Sequence, residues 1–125
     1  MNSYLYFKNV YLCGPVSALS REAAVKLFDR GEEFARNAGC ALLWNPIRHI
    51  NPETSWESAM TTCMNILRSG FIQTLLVLDV ETPSKGREME IAEAIKLGIE
   101  IKYLADLEAR AAADEAEKQR RRVER

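Results

Sequence analysis

Short apolar runs alternate along this chain with stretches in which apolar positions recur at three-and-four spacing. Val10 to Cys13 is a β-type run that stops at Gly14-Pro15. From about Arg21 to Ala38, residues Ala24, Leu27, Phe28, Gly31, Phe34 and Ala35 mark one face of a helix that Gly39 closes. Cys40 to Trp44 reads as a second strand ended by Asn45-Pro46, and a polar loop follows through His49, Asn51 and Pro52. Thr54 or Ser55 caps a helix from Trp56 to about Arg68, which Ser69-Gly70 stops. Thr74 to Leu78 is a third strand, with the unbroken apolar character of a strand buried on both faces. A polar turn around Ser84 leads into a helix to about Leu97, with Ile91, Ala94, Ile95 and Gly98 on one face, and Ile99 to Leu104 is a fourth strand. From Asp106 the chain is Ala-rich and charged, ending in Arg120-Arg121-Arg122 and a terminus expected to fray.

Strands separated by helices predict a parallel sheet with helices on both faces, a three-layer α/β domain of four or five strands. The expected division is a domain over residues 1–105 and a charged C-terminal helix or tail over residues 106–125. In such sheets ligands bind at the carboxyl ends of the strands. Two polar turns lie at such ends, Gly14 to Ser17 and Asp79 to Gly86.

Composition narrows the ligand. The 125 residues are 47% hydrophobic and 28% charged with a formal charge of −1, an ordinary globular balance that argues against a broad nucleic-acid surface and leaves room for a small anion site. A nucleotide is the expected small-molecule partner. Cys13, Cys40 and Cys63 are odd in number and lack C-x-x-C spacing, and the N-terminal segment has no basic stretch followed by a long apolar one. The expectation is a cytoplasmic protein with free thiols and no membrane role, since no apolar run approaches the roughly 18 to 20 residues of a membrane span. No His, Cys, Asp and Glu set has metal-ligand spacing, so neither a metal nor a cofactor is expected.

The candidate chemistry centres on Ser84-Lys85-Gly86-Arg87-Glu88-Met89-Glu90, which follows the third strand. A polar turn opening a helix holds an anion on its N–H groups and sets a carboxylate beside it. On that helix Glu93 and Lys96 project away from the Ile91 and Ile95 stripe, whereas Glu90 falls on its flank with Ala94 and Leu97. An ionised, positioned carboxylate is what nucleophilic attack at a sugar anomeric carbon requires. A Glu near a helix start also serves simply as a partner for the helix dipole. Ser84 and Gly86 are equally open: a helix cap and a turn residue, or the cradle of a phosphate. Gly14, Pro15 and Ser17 form a second such turn, and Asp79 begins the one that contains Ser84.

Tyr11-Leu12-Cys13-Gly14 with Ser84-x-Gly86-x-x-x-Glu90-x-x-x-Ala94 resembles the nucleoside 2-deoxyribosyltransferase superfamily and its nucleoside 5′-monophosphate N-glycosidase branch. Asn45-Pro46, Trp56, Met60 and the segment Ala94 to Gly98 are similar to a small bacterial and phage group within it, and the likeness spans roughly residues 9 to 104. The resemblance implies a flavodoxin-like fold and hydrolysis, or transfer, of an N-glycosidic bond. It makes Glu90 the nucleophile and Tyr11 the residue that orients it, lets the backbone at Gly14 approach the ligand, and sets Ser84 where the glycosidase branch holds the 5′-phosphate. It also implies a homodimer. Two departures stand out. The Asp that serves the superfamily as acid and base on the leaving group has no counterpart in Thr62-Cys63-Met64-Asn65-Ile66, and Ser17 replaces a first-turn Arg.

Other residues have plainer readings. His49, the one histidine, reads as solvent-exposed unless its loop folds over the strand ends. Trp44 and Trp56 suit a core or interface, and either is suited to stacking on a base. Cys13 lacks a partner base that would make it a nucleophile. Two further functions compete with catalysis: a nucleotide-sensing module using the same pocket, and a structural partner protein acting through its basic tail.

Overall fold

A computed structural model describes residues 2–124. Strands β1 (Asn9–Cys13), β2 (Leu42–Trp44), β3 (Thr74–Val77) and β4 (Glu100–Tyr103) form one sheet in the order β2-β1-β3-β4. Every neighbouring pair is parallel. Helices α1 (Arg21–Asn37), α2 (Pro46–His49), α3 (Trp56–Arg68), α4 (Lys85–Leu97) and α5 (Leu104–Glu124) complete the chain. The result is the expected α/β architecture: a four-stranded parallel sheet between helical layers, of flavodoxin-like type. No described helix is long and apolar enough to cross a membrane.

The two-residue period of the strands sorts the core into two halves. Val10 and Leu12 of β1 point with Leu76 of β3 toward α1 and α5, where they meet Ala24, Phe28, Ala35, Leu104 and Leu107. Tyr11 and Cys13 of β1 point with Leu75 and Val77 the other way, against Cys63, Met64 and Leu67 of α3 and Ala94 of α4. Gly31 lets α1 lie close over the end of β3, because a Cβ there would collide with the Leu78 side chain. The chain passes from β1 outward to β2 and then crosses back to β3. The order therefore reverses between β1 and β3, the place where a crevice opens at the strands' carboxyl ends.

Several elements differ from the sequence expectation. The loop after β2 contains a short helix, α2, started by the Asn45 side chain accepting from the Ile47 N–H at 3.0 Å. Leu104 is the first residue of α5 rather than the last of a strand, and α5 runs to Glu124. Its first turns are anchored by Leu104 and Leu107, by the Arg30–Glu108 ion pair between α1 and α5, and by Asp114 accepting from the Tyr4 hydroxyl. Helix α4 is rotated from its apolar stripe. It buries Arg87, Glu90 and Ala94, whereas Ile95 is 66% exposed. The sheet surface beneath α4 carries the hydroxyl and thiol of Tyr11 and Cys13, which offer partners to a carboxylate and nothing extra to an isoleucine. Glu93 is not a free surface charge either, since it bridges to Arg68 of α3 at 2.9 Å.

Candidate functional site

Glu90 enters the site from the second turn of α4, and β1 supplies what it touches. The Tyr11 hydroxyl donates to Glu90 Oε2, and the Cys13 thiol lies 3.9 Å from Oε1. All three side chains are buried. Burial raises the Glu90 carboxyl to about 7, against the opposing pull of the hydrogen bonds from Tyr11 and Cys13. Burial, reinforced by the Glu90 charge, drives the Tyr11 hydroxyl and the Cys13 thiol upward, so both keep their protons. Cys13 is thereby ruled out as a thiolate nucleophile at neutral pH. Cys63 on α3, close to Tyr11 and the Trp44 indole, is pushed up to about 11 by burial. All three cysteines are free.

Above Glu90 opens a cleft of about 390 Å³. One wall is the turn after β1 with Gly14 and Ser17, a second is the start of α4 with Ser84 and Gly86, and a third is α3 with Trp56, Met60 and Cys63. Gly86 keeps α3 and α4 close at this point, because a Cβ there would sit 3.3 Å from the Met60 sulfur and 3.7 Å from the Trp56 indole nitrogen. Ser84 is the N-cap of α4, its hydroxyl oxygen accepting from the Arg87 N–H at 3.1 Å. That leaves the hydroxyl proton available to a ligand. Lys85 extends its ammonium over the Trp56 ring, 5.2 Å from the centroid.

The structure thus gathers Gly14, Ser17, Ser84, Gly86 and Glu90 around one cleft, with Tyr11 joined to it through Glu90. Pro15 is buried in the β1 turn and does not line the cleft. Asp79 does not line it either. Its carboxylate accepts from the Glu81 N–H at 2.7 Å, the Thr82 N–H at 2.9 Å and the Thr82 hydroxyl at 2.8 Å, and the bonds from Thr82 lead in holding its pKa down. It shapes the loop before Ser84 and faces a second cavity bordered by Arg30, Tyr103 and Asp106. His49 is exposed, its ring stacked on Trp44 at 4.6 Å and Nδ1 against the Asn45 backbone, also outside the cleft lining. Among the described residues no cluster is arranged to hold a metal ion.

Two arginines have roles the sequence pattern did not reveal. Arg87 is buried with its guanidinium donating to the Asp79 carbonyl at 3.1 Å and to the Thr82 carbonyl, so it clamps the loop that delivers Ser84. Nothing in a local window distinguishes such a buried Arg from a surface one. Arg21, at the first position of α1, lines the cleft and is steadied by donating to the Ile47 carbonyl at 3.1 Å. Its signal was available: a cation at a helix start opposes the dipole and calls for a reason.

Residues 8–103 match a family described as a domain of unknown function, DUF4406. No curated protein matches the sequence.

Proposed function

The chain belongs to the DUF4406 family, and we propose that its cleft takes a nucleoside 5′-monophosphate and cleaves the N-glycosidic bond through Glu90. One observation carries this reading: a buried carboxylate, held by a tyrosine hydroxyl, at the floor of a cleft whose rim carries an N-cap serine and an arginine. Burial and a fixed hydrogen bond restrict the carboxylate to one pose, and the α4 N-terminus with Ser84 and Arg21 supplies donors for a phosphate. In the mechanism, Glu90 attacks C1′, the base departs, and water hydrolyses the glycosyl-enzyme ester, a two-step route with retained configuration. Tyr11 keeps Glu90 aimed and supports its ionised form. The reading includes a homodimer, for which the outward side of α4 offers Ile95, 66% exposed.

Incubation with a panel of nucleoside monophosphates, followed by chromatography of the free base, tests the proposal. Base release from at least one of them, lowered by orders of magnitude in Glu90→Gln, is the expected result. Undiminished release in that variant would reject Glu90 as nucleophile.

A second reading has its own support. By the resemblance, Cys63 or Asn65 falls in the neighbourhood of the superfamily's acid, and Cys63, the one of the two that lines the cleft, is a protonated thiol. A sensing module needs no such acid. It predicts that a monophosphate raises the melting temperature while no base is released.

A further inference from the structure

Breaking a C1′–N bond to a neutral base leaves negative charge on the departing ring nitrogen, and a proton donor placed there contributes about 10²–10⁴ in rate. Among the described residues lining the cleft, Glu90 is the one carboxylate, and none is a His or a Lys. Glu90 is committed to C1′. The other polar side chains of the lining are the Arg21 guanidinium, the Asn51 amide and the Ser17, Thr54 and Ser84 hydroxyls, none of a type that matches a carboxyl as an acid. The Cys63 thiol is raised to about 11, and the Tyr11 proton is directed at Glu90. The cleft is instead favourable to positive charge. Once ionised, above about pH 7, Glu90 gives it a buried anion, and Trp56 presents an indole face of the kind that attracts cations, as the Lys85 ammonium over it shows.

Resting on the reading above, we infer that the cleft is matched to 5′-monophosphates whose base is cationic before it leaves: N-ribosyl pyridiniums and N7-alkylated purine nucleotides. With such a substrate a Glu90 oxygen forms its bond to C1′ as the C1′–N bond breaks, and the bonding pair moves onto the ring and cancels its positive charge. The base departs neutral and takes no proton. Water then attacks C1′, the ester bond to Glu90 breaks, the carboxylate returns, and the water's surplus proton passes to solvent. Hydrolysis of a cationic substrate therefore releases one proton more than hydrolysis of its neutral counterpart.

The test compares 7-methyl-GMP with GMP, and adds nicotinamide mononucleotide and neutral pyrimidine monophosphates, following free base by chromatography and proton release in weak buffer. The expected kcat/KM for 7-methyl-GMP and nicotinamide mononucleotide is at least 100-fold above that for GMP, and the extra proton is read with nicotinamide mononucleotide, whose ring has no ionisable N–H, where it should match the base released. Cys63→Asp, which returns a carboxyl to the α3 wall, should narrow the ratio of 7-methyl-GMP to GMP by ten-fold or more, a change that mere loosening of the wall would not produce. Should Cys63→Asp not fold, the wild-type ratio decides alone. Comparable kcat/KM for GMP and 7-methyl-GMP in the wild type, with Glu90→Gln inactive, would overturn the inference and leave N-glycosidase action standing. Release of base from none of the substrates would overturn both.

Discussion

Burial keeps the Glu90 proton on up to about pH 7, whereas in the unfolded chain the same carboxyl loses it near 4.5. Between these values the folded state holds a proton that the unfolded state has released, so this group's contribution to stability is full below about 4.5 and is lost as pH rises through about 7. Glu90→Gln removes that pH dependence. Its melting temperature should exceed the wild type's at pH 8 and approach it at pH 5, which calorimetry at the two pH values measures; a variant less stable at pH 8 would show that the carboxylate is better satisfied than burial implies. The same titration governs the proposed chemistry. The nucleophile must be ionised, so kcat/KM for base release should rise with pH and level off above about 7. Tyr11→Phe takes away the hydrogen bond that pulls the Glu90 pKa down. The plateau should then move to higher pH and the rate at pH 7 fall several-fold; a profile that stays in place would mean the hydroxyl does not tune the carboxylate.

Helix α4 and its N-cap bring two of the candidate groups for the nucleotide, Glu90 and Ser84, and capping and phosphate recognition can be separated at Ser84. Asp caps a helix about as well as Ser, so Ser84→Asp should leave the melting temperature nearly unchanged, whereas losing the cap altogether in Ser84→Ala should cost about 1 kcal/mol. Against a phosphate the two variants reverse in severity, because the new carboxylate repels the ligand. Calorimetric titration with a monophosphate and with its parent nucleoside should show Ser84→Asp losing selectivity for the monophosphate; equal affinity for the two in the wild type would remove Ser84 from phosphate recognition. The rotation of α4 also shows where element-level reading stops. Its existence and its start at Ser84 followed from the Ser and Gly of the turn and from helical spacing. Which face it buries did not, because Glu90 is buried through Tyr11 and Cys13, far away in the sequence, and Arg87 through main-chain carbonyls of the loop just before it, which side-chain spacing does not show.

For the whole molecule, the outward face of α4 frames the oligomer expectation. Light scattering at micromolar concentration should give twice the chain mass, and Ile95→Asp should return a monomer with an unchanged melting profile of its own, because Ile95 is already exposed and contributes little to the interior. A wild-type monomer would remove the homodimer from the proposal and confine the site to residues of one copy.

The alternation of apolar runs with helical spacing determined the parallel α/β sheet and the strand-end location of the polar turns, because a strand buried on both faces and a helix on its surface impose different periods on the chain. It also brought Gly14, Ser84 and Glu90 to one edge of the sheet as candidates, and the family resemblance added Tyr11. Only the tertiary structure decided that Asp79 faces its own loop, that Arg21 joins the cleft, that Glu93 is tied to Arg68, and that Glu90 lies under the surface with its proton held to about pH 7. Each of these depends on which groups meet across the sheet or between helices. Such meetings are set by strand parity, helix rotation and crossover, quantities that no local window of residues contains.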